Sequence, residues 1–191
     1  MTMRLFVALS ISADVRQQLS LLLDEFRRAD SKPRWVNPSN VHITLKFIGH
    51  VAADRLAVIR QALAAVPVPP PVHFRVRGIG FFPNDRRPAV IWAGIDAPPE
   101  LPALAGQIDE ALGSCGIPRE GRPFAAHVTL ARLKETRWSE PLRAAVEKYR
   151  DRSFGAVTAG QFHLMESRLK SSGAEYTTLD SFPFAAEGID R

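Results

Sequence analysis

One cysteine, Cys115, stands in 191 residues. A lone thiol can neither close an internal disulfide nor build a thiolate metal cage, which fits a reducing compartment, and the cytoplasm is expected. No histidine or carboxylate flanks it in sequence, so it reads as a small inert apolar residue, not a nucleophile. Long apolar runs are also missing: nothing approaches the roughly 20 residues needed to cross a bilayer. The opening MTMRLFVALSISADV carries a basic residue and a short apolar stretch but no cleavage region, and reads as a buried strand feeding a helix. The spacings HxxxH, DxH and HExxH do not occur among the five histidines, so no metal or other cofactor is expected. There is no low-complexity tract and no long basic block. The formal charge of +5 fits a polyanionic partner and a solvated basic surface equally well.

What is present is a globular composition, 46% hydrophobic and 24% charged, sufficient for one domain or two packed lobes. Apolar, β-branched runs predict strands at 3–10, 41–48, 72–80, 88–95, 127–133, 159–166 and 174–180. Helical periodicity predicts helices at 13–28, 54–65, 100–114 and 139–150. In the first helix Val15, Leu19, Leu22, Leu23 and Phe26 form one face, with Ser12 as N-cap and Asp14 in the first turn.

The pattern repeats. HITL at 42–45 returns as HVTL at 127–130, an offset of 85 residues. The same offset carries LFVALS onto VIWAGI and each helix of the first half onto one of the second. The chain therefore reads as a single domain, 1–191, made of two β-α-β-α-β halves, about 1–85 and 86–191.

Side chains two apart on a strand share a face, so His42 and Thr44 point one way, as do His127 and Thr129, with Ile43, Leu45, Val128 and Leu130 behind them. Halves packed about a pseudo-two-fold axis would set the two pairs across one groove. Two imidazoles flanking a phosphodiester are an acid and a base that titrate near neutrality. The threonine hydroxyls can donate to non-bridging phosphoryl oxygens, and no covalent nucleophile is needed. One HxT alone would be an ordinary strand feature. Two at equivalent places in a repeat point to chemistry.

The paired motifs, with RLFVAL, RWVNPSNVHITLKFIG, FFPNDRRPAVIWAGI and LMESRLKSSGAEYTTL around them, give a sequence that resembles the 2H phosphoesterases over nearly its whole length. It is most similar to the RNA 2′,3′-cyclic phosphodiesterases, also called 2′-5′ RNA ligases. The resemblance implies an α+β fold, bilobal, with two antiparallel sheets lining a central cleft. It implies metal-independent hydrolysis of a terminal RNA 2′,3′-cyclic phosphate to a 2′-phosphomonoester, with His42 as proton donor and His127 as acceptor. An ATP-independent 2′-5′ ligation would reuse the same groups. Ala126 departs from the family, where proline commonly precedes the second histidine; no chemical group is lost by it.

Four further residues are candidates for substrate binding. Arg132 follows the second motif and can neutralise phosphate; Lys46 lies on the nominal face of Thr44; Tyr176 and Phe81 can stack on a base. His50, His73 and His163 lack the paired context and read as structural or surface residues. The expected partner is RNA with a 2′,3′-cyclic phosphate end, tRNA fragments being one source, bound by a monomer. Two rival readings stay open: a phosphoesterase for a small cyclic nucleotide or ADP-ribose cyclic phosphate, and a non-catalytic RNA-binding module.

Overall fold

The computed structural model describes residues 2–134, 138–170 and 173–186. The first half of the chain gives β1 (Thr2–Leu9), α1 (Ala13–Ala29), β2 (Arg34–Trp35), β3 (Ile43–Ala52), α2 (Leu56–Ala64) and β4 (Val72–Phe82). The second gives β5 (Val90–Asp96), α3 (Glu100–Ser114), β6 (His127–Arg132), α4 (Glu140–Glu147), β7 (Ser153–Ala159), β8 (Gln161–Lys170) and β9 (Gly173–Pro183). All seven expected strands and all four expected helices are present. Two strands were not anticipated, the two-residue β2 and β7.

The α+β class holds, with every strand pair antiparallel. The strands follow one path, β7-β4-β5-β6-β3-β1-β8-β9, with β2 added beside β6. Its middle is thin. β3 and β6 meet at a single pair, Ile43 with Val128, the narrowest joint in one continuous sheet, which is compatible with the expected two sheets. Each third strand joins the sheet begun by the other half of the chain: β4 pairs with β5, and β8 with β1. The helices cross in the same way, α1 packing on β7 and α4, and α3 on α2 and β3.

The helices cover one face of the sheet. Leu5, Val7 and Leu9 of β1 join a core with Leu19, Leu23 and Phe26 of α1 and Leu104 and Ile108 of α3. The α1 reading is met in detail: Ser12 Oγ accepts from the Val15 amide at 3.4 Å, and the five predicted apolar residues are its buried face. Phe6 and Ala8, although buried, lie outside that core. They belong to the opposite face of the sheet, the face of the expected cleft.

Two bulges shape that face. Val7 pairs with Lys46 but Ala8 with Thr44, leaving Leu45 as an extra residue in β3. Ile91 pairs with Ala131 but Trp92 with Thr129, leaving Leu130 as the extra residue in β6. The two bulges fall at equivalent places, directly after each HxT motif. Each reverses the alternation of side chains beyond it.

Candidate active site

Ile43 and Val128 are both fully buried on the helix side. Their antiparallel pairing sets His42 opposite Thr129 and Thr44 opposite His127, all four on the cleft face. The two motifs therefore meet where β3 and β6 join, and the four predicted residues come together there.

Both imidazoles are oriented by the same device. His42 Nδ1 lies 2.7 Å from the carbonyl of Asn40, and His127 Nδ1 lies 2.7 Å from the carbonyl of Ala125. A carbonyl only accepts, so each Nδ1 carries the hydrogen and each Nε2 is left for the cleft. His42 Nε2 is already 3.0 Å from Thr44 Oγ1. The local sequence builds this: Asn37 caps a short 3₁₀ turn over Pro38–Asn40 through its side chain, and Asn40 Nδ2 donates to the Ala174 carbonyl at 2.6 Å, tying the turn to β9.

Burial pushes His42 below the ordinary histidine range; its Asn40 hydrogen bond opposes this and a charge on His127 adds to it. Burial likewise lowers His127, its Ala125 hydrogen bond opposing and the nearby Arg132 charge adding to the shift. A charge on His127 thus disfavours a charge on His42.

Each ring sits among aromatic side chains. Phe6 lies 4.9 Å and Tyr176 5.2 Å from His42 between ring centres, the tyrosine edge-on. Phe82 lies 5.0 Å and Trp92 6.2 Å from His127. The Trp92 ring lies over Gly80, where a Cβ would come within 2.1 Å of it, so only glycine fits beneath that ring. Its buried Nε1 has no hydrogen-bond partner among the described residues.

The secondary candidates divide. Tyr176 is at the site. Arg132 is exposed, and beyond the Leu130 bulge it alternates with the fully buried Ala131, which turns it to the cleft face. Lys46 is turned away. The Leu45 bulge sends it to the helix side, where only 3% of its side chain is exposed; it ion-pairs with Asp109 and donates to the Pro118 carbonyl at 2.7 Å. Phe81 is also a core residue, packed on Trp138 at 4.7 Å, and the aromatic beside His127 is its neighbour Phe82. Phe47 was missed. It occupies in β3 the place that Arg132 has in β6, opposite Phe6 and 55% exposed.

The other histidines stand apart. His163 is buried with Nδ1 2.9 Å from Ser181 Oγ, and His73 bonds Thr158 Oγ1 at 2.9 Å. Among the described residues no three His, Cys, Asp or Glu side chains converge, and no helix is long and apolar enough to cross a membrane.

The family model described as LigT-like phosphoesterase matches residues 9–92 and 95–176. Among curated relatives, an RNA 2′,3′-cyclic phosphodiesterase of Archaeoglobus fulgidus is 36% identical over 94% of this chain and 99% of its own. One of Aeropyrum pernix is 33% identical over 90% of this chain and 97% of its own. The Escherichia coli LigT structure complexed with 3′-AMP superposes with a TM-score of 0.78 at 24% identity, covering 97% of this chain and 99% of that one; the likeness is of fold.

Proposed function

The chain belongs to the LigT-like phosphoesterase family, and from that premise we propose that its cleft hydrolyses RNA 2′,3′-cyclic phosphate ends by paired histidine acid–base chemistry. It is a hydrolase of phosphoric diester bonds, as its relatives named RNA 2′,3′-cyclic phosphodiesterase are. The observation that carries the mechanism is the matched pair of imidazoles. Each has its Nδ1–H fixed on a carbonyl two residues upstream, beside the joint that carries both threonines.

His127 Nε2 takes a proton from water as its oxygen bonds to phosphorus. The bond from phosphorus to O3′ breaks, and the proton on His42 Nε2 goes to that oxygen, leaving a 2′-phosphomonoester and a free 3′-hydroxyl. The donor role of His42 requires it to be charged, although burial disfavours that form in the free protein. The bound phosphodiester restores it, since an adjacent anion favours the imidazolium. Thr44 and Thr129 donate to the non-bridging oxygens and hold phosphorus between the rings. Arg132 adds a cation on the same face for the phosphates of the RNA chain, and Tyr176 offers a ring to the terminal base. An ATP-independent 2′-5′ ligation uses the same groups, with a ribose hydroxyl in place of water.

We take the chain to be one unit of two pseudo-repeat halves, 1–85 and 86–191. The matched bulges after the two motifs and the symmetric exchange of third strands support this. We take it to act as a monomer in the cytoplasm, with tRNA fragments among its substrates. The test is direct: incubate the protein, in excess chelator, with an RNA ending in a 2′,3′-cyclic phosphate and identify the terminal phosphate. A 2′-phosphomonoester is expected. A 3′-phosphate reverses the assigned leaving oxygen, and dependence on a divalent ion removes the two-histidine mechanism.

A further inference from the structure

Arg34 is the whole exposed half of a two-residue strand, and its cross-strand partner is another arginine. β2 pairs with β6 so that Arg34 faces Arg132 and Trp35 faces Ala131. Directly opposed residues of an antiparallel pair have Cα atoms about 4.5–5.5 Å apart with side chains on the same face, and like charges there repel. The face is fixed by the neighbours. Ala131 is fully buried, and Trp35 packs on Phe26 of α1 with its Nε1 donating to the Asp30 carbonyl at 2.9 Å. Trp35 and Ala131 therefore hold the helix side, and Arg34 and Arg132 both project to the cleft face.

The fold fixes this repulsive pair firmly. Besides the Trp35 anchor, the Val36 amide donates to the Leu130 carbonyl at 2.9 Å, and Arg27 Nη2 donates to the Val36 carbonyl at 2.8 Å. Among the described residues neither guanidinium has a carboxylate partner, whereas nine other cation–carboxylate pairs are formed. Two unneutralised arginines held side by side on a cleft wall are an anion seat waiting for an anion.

Its distance from the reacting centre says which anion. Arg132 leaves β6 about 7 Å beyond Thr129, because the Leu130 bulge sets those three residues against only two of β5, Trp92 to Val90. The opposite wall at the equivalent place carries Phe47, not a cation. We propose that Arg34 and Arg132 together seat the internucleotide phosphate next to the cyclic one, so that this enzyme favours an RNA chain end over a free cyclic nucleotide. Arg34 is a specificity residue in this view and touches no reacting atom. The inference rests on the hydrolase reading above.

The test compares two substrates of the full-length protein. One is a dinucleotide ending in a 2′,3′-cyclic phosphate, which has one internucleotide phosphate; the other is a nucleoside 2′,3′-cyclic phosphate with no 5′-phosphate. Arg34→Gln should lower kcat/KM on the dinucleotide about ten- to a hundred-fold, the worth of one charge-assisted hydrogen bond, and leave the nucleoside substrate unchanged. The salt dependence of log kcat/KM on the dinucleotide should flatten by about 0.7, one single-strand phosphate contact. Arg34→Lys, which keeps the charge and loses the fork, should retain the salt slope and recover part of the rate. Equal loss on both substrates, or no loss on either, overturns the proposal. A wild-type protein that turns over neither substrate removes the hydrolase reading itself, and this inference with it.

Discussion

Replacing Lys46 by methionine separates a core lysine from a cleft lysine. Methionine keeps most of the apolar stem, so the change deletes the charge and its two hydrogen bonds, to Asp109 and to the Pro118 carbonyl. Asp109 keeps the Glu120 amide at 3.0 Å and 20% side-chain exposure, so its desolvation is partial. Breaking one partner of a buried pair costs about 3–5 kcal/mol; the water that still reaches Asp109 puts the expected loss near the bottom of that range, about 3 kcal/mol. In urea, with a slope of about 1–3 kcal/mol per molar, the midpoint should fall by 1 M or more.

The pH dependence carries its own sign. Burial pushes the Asp109 carboxyl up, but its hydrogen bonds from Lys46 and the Glu120 amide bring it below its ordinary value of 3.8. Its contribution to stability is therefore complete above that value and lost as pH falls through the lowered one. In Lys46→Met that acid-side loss should shrink. Turnover on a cyclic-phosphate RNA, measured well below the melting temperature, should stay within about two-fold of wild type, as it should when no transition-state interaction is removed. A hundred-fold loss of kcat with an unchanged urea midpoint would return Lys46 to the substrate and refute the bulge argument.

Thr44→Val and Thr129→Val keep shape and strand preference and remove only a hydroxyl, so each should lower kcat by about 10²–10³-fold, as loss of one donor to a developing oxyanion does, with little change in melting temperature; calorimetry and turnover on the same samples decide it. The histidines predict a stability profile as well. His42, His127 and His163 are all lowered by burial, so the unfolded chain binds more protons than the native one, and stability is lost as pH falls from about 6.5 towards the lowered values. Thermal melts between pH 7.5 and 5 should show this, and His42→Gln should flatten the fall; a profile flat in both proteins would contradict the burial.

Much of the site was legible because an HxT pair on a strand fixes two side chains to one face whatever happens elsewhere. The secondary residues were legible only as far as the alternation continued. Leu45 and Leu130 look like any strand leucine, so nothing in sequence announced the bulges that turn Lys46 inward and carry Arg132 to the cleft. The same limit misplaced the aromatic of β4 by one residue: the β4–β5 register shifts between Val76 and Ile79, and with it the choice between Phe81 and Phe82. β2 is too short for any periodicity to reveal, so Arg34 was invisible as the neighbour of Arg132. β7 escaped because SFGAVTA mixes glycine and small residues whose strand state comes from pairing with β4. The exchange of third strands is a property of long-range pairing, and local pattern carries no information on it.

The central claim is that His42 and His127 act as one acid–base unit. It is tested most directly by kcat/KM against pH for wild type, both single alanine variants and the double variant, on an RNA 2′,3′-cyclic phosphate. Wild type should give a bell whose two limbs are macroscopic values of the pair, with the acid limb below the ordinary 6.5 because burial lowers both rings. Each single variant should lose about 10²–10⁴-fold and one limb of the bell. The double variant should be far less impaired than the product of the two losses, as groups acting in one step are. Near-normal turnover in either single variant, or losses that multiply in the double, would contradict the account.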